Sequence, residues 1–429
     1  NYIYIYMILI GSKHYNLELN NIIDNFEKLV RFNMAIKNNN NGTKEPLYQV
    51  LNIHTYNNII TENKNTLVEK YNYLVKKKHI EDFFDEFKNS DKIKYIHNNG
   101  TDLMKIILQQ LNININITKQ LRVGYATIAE NIQNHIFSYL IGYSINKTTL
   151  NINEKTYYHE ECIKQLSSDC HNINIEIDIL QELHKKNIID CTLCLLNNQY
   201  KLPLLDCKFI KPRKEMLLLL LKKYGICILE DYFENIIVEN LEKEYDNIFN
   251  NYKNDIEILD KENCSKDERI FNCEEYSEYI KNNFSNNELF DTISQIYTQR
   301  NFNKKTLINK LKYNSNEIRN SGAGYHRDNH DCQFKTIMYL SDVNEKNGCF
   351  TFITNSSKNH IGYPKPRTND YNTRYYDETI EELLKKNEKC KKFEICGKKG
   401  TVILVDTTYI HRGKIIEEGI RKAITQYYF

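Results

Sequence analysis

The chain reads as an α+β protein. A jelly roll with flanking helices forms its C-terminal half, and a mixed, mainly helical region precedes it. Three observations lead there. Beyond residue 320 one short apolar stretch follows another, separated by Asn/Gly-rich turns such as Asn344-Glu345-Lys346-Asn347-Gly348, a pattern of sandwiches and barrels. Between 211 and 249 the texture is helix, glycine stop, strand, helix. The chain has 429 residues, 41% of them hydrophobic, enough for two or three domains with sizeable cores.

The first domain is expected to span residues 1–155. Asn1 to Ile10 is apolar, but a membrane-spanning helix needs about 20 such residues, and neither a basic leader nor a small-residue cleavage site is visible. Asn38 to Asn41 reads as a surface loop. Leu67 to Phe87 carries a helical pattern, and Ile113, Ile115 and Ile117 alternate with Asn like a strand with one buried face. No function is legible in this third of the chain.

Residues 156–210 gather soft-metal ligands: His159, Cys162, Cys170, His171, His184, Cys191, Cys194 and Cys207. His159-x-x-Cys162 and Cys191-x-x-Cys194 have the spacing of zinc knuckles and together could close a structural zinc site. The competing reading is that these are buried, reduced cysteines acting as small hydrophobes, with Ile173, Ile175, Ile177 and Ile179 forming a strand between the pairs.

The third domain is expected at 211–429. Met216 to Leu221 leads through Lys222-Lys223-Tyr224-Gly225 into the strand Ile226 to Leu229, and Asp231 to Phe249 reads as an amphipathic helix. Strands follow at Phe334–Leu340, Cys349–Thr354, Phe393–Cys396, Thr401–Val405 and Arg421–Tyr428.

Composition excludes more than it assigns. Lys plus Arg is 58 against 56 Asp plus Glu, a net charge of +2, so no basic field argues for nucleic acid or a membrane surface as partner. The 58 Asn and 32 Tyr against 14 Gly and 5 Pro reflect A/T-rich codons. Twelve cysteines, all beyond residue 161, are too dispersed for a secreted disulfide scaffold, and an intracellular, cytoplasmic protein with reduced thiols is expected. The Lys-rich run Lys385 to Lys399 reads as a solvated loop.

The chemistry concentrates at Tyr325-His326-Arg327-Asp328. In an extended segment, residues two apart point the same way, so His326 and Asp328 can present an imidazole and a carboxylate to one ion. A third ligand would complete the two-His-one-carboxylate face, which leaves positions open on Fe(II) for a co-substrate and O₂. His330 is too near in sequence, and His360 follows a loop. His411, just after the apolar strand ending at Asp406, is favoured. If Glu417-Glu418-Gly419 turns a hairpin, Ile415 faces Arg421 and His411 faces Thr425. Arg421 then lies on the His411 face, about 13 Å along the strand, where a guanidinium fork suits the far carboxylate of a five-carbon dicarboxylate. Lys335, on the strand after the His-x-Asp motif, is the next cation in line for that role.

These residues carry a resemblance. From about Lys214 to Phe429 the chain resembles the phytanoyl-CoA dioxygenase-like family of Fe(II)/2-oxoglutarate oxygenases. The opening at 222–232, Tyr325-His-Arg-Asp-Asn329, the run Phe334 to Gly348, Asp406 to Gly413 and Arg421 all contribute. The resemblance implies a double-stranded β-helix, iron held by His326, Asp328 and His411, 2-oxoglutarate held through Arg421, O₂ as the second co-substrate, and hydroxylation of a small-molecule or acyl substrate. Two departures border the substrate mouth: Ser356-Ser357-Lys358 replaces the family's Gly-Ser-His, and Pro364 to Lys392 reads as an insert. A non-catalytic jelly-roll binding module and a cupin-type metalloenzyme without 2-oxoglutarate are the rival readings.

Overall fold

The computed structural model describes residues 5–11, 15–32, 39–40, 42–44, 47–50, 73–76, 93–96, 100–145, 172–197, 199–258, 267–313, 324–329, 331–362, 364 and 374–429. The chain divides into two compact units, Asn1–Lys201 with Lys208–Arg213, and Leu202–Cys207 with Lys214–Phe429. Among the described residues no helix is long and apolar enough to cross a membrane.

The first unit is organised by a parallel sheet. Its strands are β1 (Ile5–Ile10), β2 (Lys28–Phe32), β3 (Tyr48–Val50), β4 (Tyr73–Lys76), β5 (Ile93–Ile96), β6 (Ile136–Ile141) and β7 (Ile189–Asp190), in the order β5-β4-β3-β2-β1-β6-β7. The apolar start of the chain is thus the strand at which the winding changes direction, paired with β2 on one side and β6 on the other. Met7, Ile8, Leu9 and Ile10 are buried, as the near-continuous apolar sequence of a doubly covered parallel strand requires. Gly11 and Gly142 close its end backbone to backbone. A Cβ on Gly11 would collide with the Gly142 carbonyl oxygen.

The expectation of a mainly helical region is therefore corrected. Strands this short are paired only through long-range ladders, which local periodicity does not register. Three finer readings change with it. Within Leu67 to Phe87, Tyr73–Lys76 is strand β4 and the rest lies outside the described residues. Ile113 and Ile117 are buried while Asn112, Asn114 and Asn116 are exposed, so the alternation reports burial correctly, but the segment joins no ladder. Ile173 to Ile179 is not a strand: it opens the helix Ile173–Lys185, capped by the Asn172 side chain accepting from Ile175 N–H. Ile177, Leu180, Leu183 and His184 continue its buried stripe, and over this longer window the 3.6 period overrides the alternation.

The second unit is built from two sheets. The larger has the order β10-β11-β12-β18-β13-β16-β9-β8 and the smaller β15-β14-β17. In chain order these are β8 (Leu204–Asp206), β9 (Ile226–Glu230), β10 (Glu257–Ile258), β11 (Asp267–Phe271), β12 (Lys304–Lys312), β13 (Phe334–Tyr339), β14 (Phe350–Ile353), β15 (Lys392–Ile395), β16 (Val402–Asp406), β17 (His411–Gly413) and β18 (Ile420–Tyr428). Helix Lys214–Tyr224 stops at Gly225, whose φ of 73° ends the helix and starts β9. Helix Asn235–Asn251 follows. Ile226, Ile228, Tyr339, Ile403 and Ala423 of the large sheet share one buried cluster with Phe350, Phe352 and Ile395 of the small one. Fully burying each such side chain contributes roughly 1.5–3 kcal/mol, which holds the sheets face to face.

The hairpin expected between His411 and Arg421 does not form. β17 pairs with β14, whereas β18 pairs with β12 and β13. Residues 414–419 instead cross from one sheet to the other. Ile416, 8% exposed, is buried on the way and bridges to Asn347. A three-residue strand is too short to specify its partner, and burial of Ile416 selects the crossing.

Candidate metal centre

His326 and His411 face each other as an antiparallel pair, each backbone N–H donating to the other's carbonyl at 2.9 Å. Their rings lie 4.4 Å apart. His326 Nδ1 is 2.8 Å from the Gly324 carbonyl and His411 Nδ1 is 2.9 Å from that of Tyr409. A carbonyl only accepts, so both Nδ1 atoms carry the proton and both Nε2 atoms present a lone pair. Asp328 is set by its own N–H donating to Thr407. Its Oδ1 lies 3.7 Å from His326 Nε2 and its Oδ2 lies 3.5 Å from His411 Nε2. The three ligand atoms fall within 4.8 Å of one another, the one such group among the described residues.

The scaffold that holds them is anchored on both sides. Arg327 turns away from the cluster and is fully buried, donating to the Gly362 and Ser356 carbonyls at 3.0 and 2.6 Å. Ser356 Oγ accepts from Ile410 N–H at 2.7 Å and donates to the Ile353 carbonyl, fixing the approach to His411. The first serine of the departing Ser-Ser-Lys sequence thus has a structural task that reading the chain alone did not assign. The insert also takes part. Arg374 bridges His326, and Tyr325, Tyr375, Ile380, Cys390 and Ile410 form a common cluster.

Electrostatics favour the ligating forms. Burial, reinforced by the neighbouring His411, pushes the His326 imidazole down to about 3, so it is neutral at physiological pH. Burial alone would raise the Asp328 carboxyl, but the Lys335 ammonium and His411 overcome it and hold the group well below the usual carboxylate range. Lys335 Nζ lies 2.5 Å from Asp328 Oδ2 and 4.0 Å from the centre of the Tyr427 ring. Two imidazoles with Nδ1 spent on carbonyls and one carboxylate are the donor set of the facial triad, and their arrangement fits a divalent iron.

Arg421 lies on β18, with Nη1 donating to the Gly348 carbonyl at 2.5 Å and Nη2 to Asn309 Oδ1 at 2.9 Å. Both acceptors are neutral, its Nε has no hydrogen-bond partner, and burial pushes the guanidinium below its ordinary value. Gly348, in the turn before β14, is two residues from Phe350, whose ring packs 5.4 Å from that of His411. The remaining candidates are not part of the cluster. His360 Nδ1 engages Ser357 Oγ at 2.7 Å, and His330 lies outside the described residues.

Half of the expected zinc ligands cannot be compared with the rest. His159, Cys162, Cys170 and His171 lie outside the described residues. Cys191 and Cys194 are buried in one turn, with Cys194 N–H donating to the Cys191 carbonyl. His184 accepts from Cys191 N–H and donates to the Lys211 carbonyl, so neither of its nitrogens is open to an ion. Cys207 falls in the other unit.

Residues 221–417 match the family described as phytanoyl-CoA dioxygenase (PhyH). No curated protein matches the chain. Similar solved structures include the epimerase SnoN in complex with Fe3+, alpha ketoglutarate and nogalamycin RO, at 12% identity over 50% of this chain and 83% of that one, with a TM-score of 0.40. Another is EctD from S. alaskensis with 2-oxoglutarate and 5-hydroxyectoine, at 17% identity over 49% and 74%, TM-score 0.37. A third is HygX from Streptomyces hygroscopicus with nickel and 2-oxoglutarate, at 14% identity over 51% and 86%, TM-score 0.36.

Proposed function

We propose that the C-terminal domain, a phytanoyl-CoA dioxygenase-family domain over 221–417, is a jelly-roll Fe(II)- and 2-oxoglutarate-dependent oxygenase that hydroxylates a small-molecule or acyl substrate. One observation carries the reading: both histidines are locked as Nδ1–H tautomers with their Nε2 lone pairs converging beside the Asp328 carboxylate. A merely structural histidine pair has no need of that arrangement. The two sheets sharing one core are in keeping with the jelly roll.

In this reading His326, Asp328 and His411 hold the iron. The metal with 2-oxoglutarate and O₂ supplies oxidative decarboxylation coupled to C–H hydroxylation. The protein supplies the geometry. Arg421, a half-buried cation with neutral hydrogen-bond partners, receives the distal carboxylate of 2-oxoglutarate as a fork. Ala423 and Thr425, which alternate onto its face of β18, leave room for the carbon chain. Phe350 and the Tyr325/Tyr375 cluster keep water from the ligand side chains.

The test is substrate-free turnover of 2-oxoglutarate to succinate, with and without Fe(II). Iron-dependent succinate formation supports the reading. Iron binding without turnover or 2-oxoglutarate binding points to the cupin-type alternative, and absence of both to a binding module.

A further inference from the structure

The inner face of β13 is apolar at Ile337 and Tyr339, both packed on the core between the sheets. Lys335 has the same parity and therefore the same side, yet it is a cation, 6% exposed. Burying an ammonium is costly unless it is paired. Here it meets Asp328 Oδ2 at 2.5 Å and lies over the ring of Tyr427, its directly opposed residue on β18. The contact with Oδ2 is a close ion pair.

This placement bears on how Asp328 can bind. Its two oxygens face different histidines, Oδ1 toward His326 and Oδ2 toward His411. A carboxylate free to use both would take two positions on an octahedral metal. With two histidines and a chelating 2-oxo acid, no position would remain for O₂. We propose that Lys335 is a positioning residue that withholds Asp328 Oδ2 from the metal, so that the carboxylate binds through Oδ1 alone and a position for O₂ stays open. The inference rests on the oxygenase reading above. It assigns Lys335 to the carboxylate ligand, in place of the alternative role of gripping the far end of 2-oxoglutarate.

The experiment uses the full chain loaded with Fe(II) and 2-oxoglutarate, and nitric oxide as the probe of the O₂ position. Nitric oxide binding is followed by the electron paramagnetic resonance of the iron–nitrosyl. Lys335→Met removes the charge at nearly constant volume. It should bind Fe(II) and 2-oxoglutarate as tightly as the unsubstituted protein or more so, while nitric oxide affinity falls about tenfold or more, about 1.4 kcal/mol. Lys335→Arg should restore nitric oxide binding. Nitric oxide affinity within about twofold of the unsubstituted protein overturns the proposal, and so does a parallel loss of Fe(II) affinity. A selective loss of 2-oxoglutarate affinity would mean that Lys335 grips the co-substrate and would likewise overturn it. The unsubstituted protein gives an independent check if Lys335→Met does not fold. The carboxylate stretches in the infrared difference spectrum between iron-loaded and iron-free protein should be widely split, as for one-oxygen binding. The narrow splitting of a two-oxygen carboxylate overturns the proposal. Failure of the unsubstituted protein to bind Fe(II) or 2-oxoglutarate at all would instead sink the oxygenase reading.

Discussion

Each unit buries histidine in apolar surroundings, and the contrast between them separates a ligand from a core residue. In the first unit His184 is 5% exposed and both ring nitrogens are used by backbone, one accepting from Cys191 N–H and the other donating to the Lys211 carbonyl. In the second, His326 and His411 each spend only Nδ1 on a carbonyl and turn Nε2 toward Asp328. Burial does not distinguish the two cases, since His411 is 4% exposed. What distinguishes them is whether the second nitrogen is already occupied.

The largest effect expected from this contrast is at the ligands. His411→Ala or His326→Ala should abolish stoichiometric iron binding while circular dichroism stays close to that of the unsubstituted protein. His184→Ala should leave iron content unchanged. Iron near one per chain in either ligand variant would erase the distinction drawn above.

Next comes Arg421. A charged hydrogen bond contributes roughly 1.5–3 kcal/mol, and stranding its buried partner brings the loss to about 3–5 kcal/mol. Calorimetric titration of Arg421→Ala should therefore show 2-oxoglutarate affinity down by about one to three orders of magnitude or more, with iron affinity nearly unchanged. Arg421→Lys should recover part of it, because an ammonium cannot fork onto both oxygens.

His184 sharpens the comparison through pH. Burial lowers its folded-state value to about 4, against 6.5 when unfolded. Between these values the unfolded chain binds more protons, so stability rises with pH there. The contribution is present above 6.5 and is lost as pH falls toward 4, amounting to about 3 kcal/mol over the full window. Denaturant melts of the full chain should show this slope, and His184→Gln should flatten it.

The smallest effect belongs to Ser356. Ser356→Ala leaves Ile410 N–H and the Ile353 carbonyl without their partner, a cost of about 1–3 kcal/mol. It should appear as a lower Tm, with iron still bound.

Sequence reading reached the candidate centre because its information is local. His326 and Asp328 share a side through alternation alone, and His411 sits at the end of a run of apolar residues that could only be a buried strand. The strands Phe334–Tyr339, Val402–Asp406 and Ile420–Tyr428 were legible for the same reason, and so was helix Asn235–Asn251 from its periodicity. Pairing was not legible. Arg421 does not face His411 across a hairpin, although it does lie half-buried with neutral partners. Ile173 to Ile179 alternates like a strand and is a helix, because alternation over seven residues is compatible with a helix when the buried stripe continues beyond it.

The sequence by itself determined which residues can ligate and which segments must be buried, since side-chain chemistry and local period are properties of neighbours along the chain. Only the tertiary structure decided which strand lies beside which. It sent β17 to the small sheet and β18 to the large one, made the apolar first ten residues a strand of a parallel sheet, and brought Lys335 onto Asp328. The physical reason is that strand partners are chosen by burial summed over residues far apart in the chain, and no local window contains that sum.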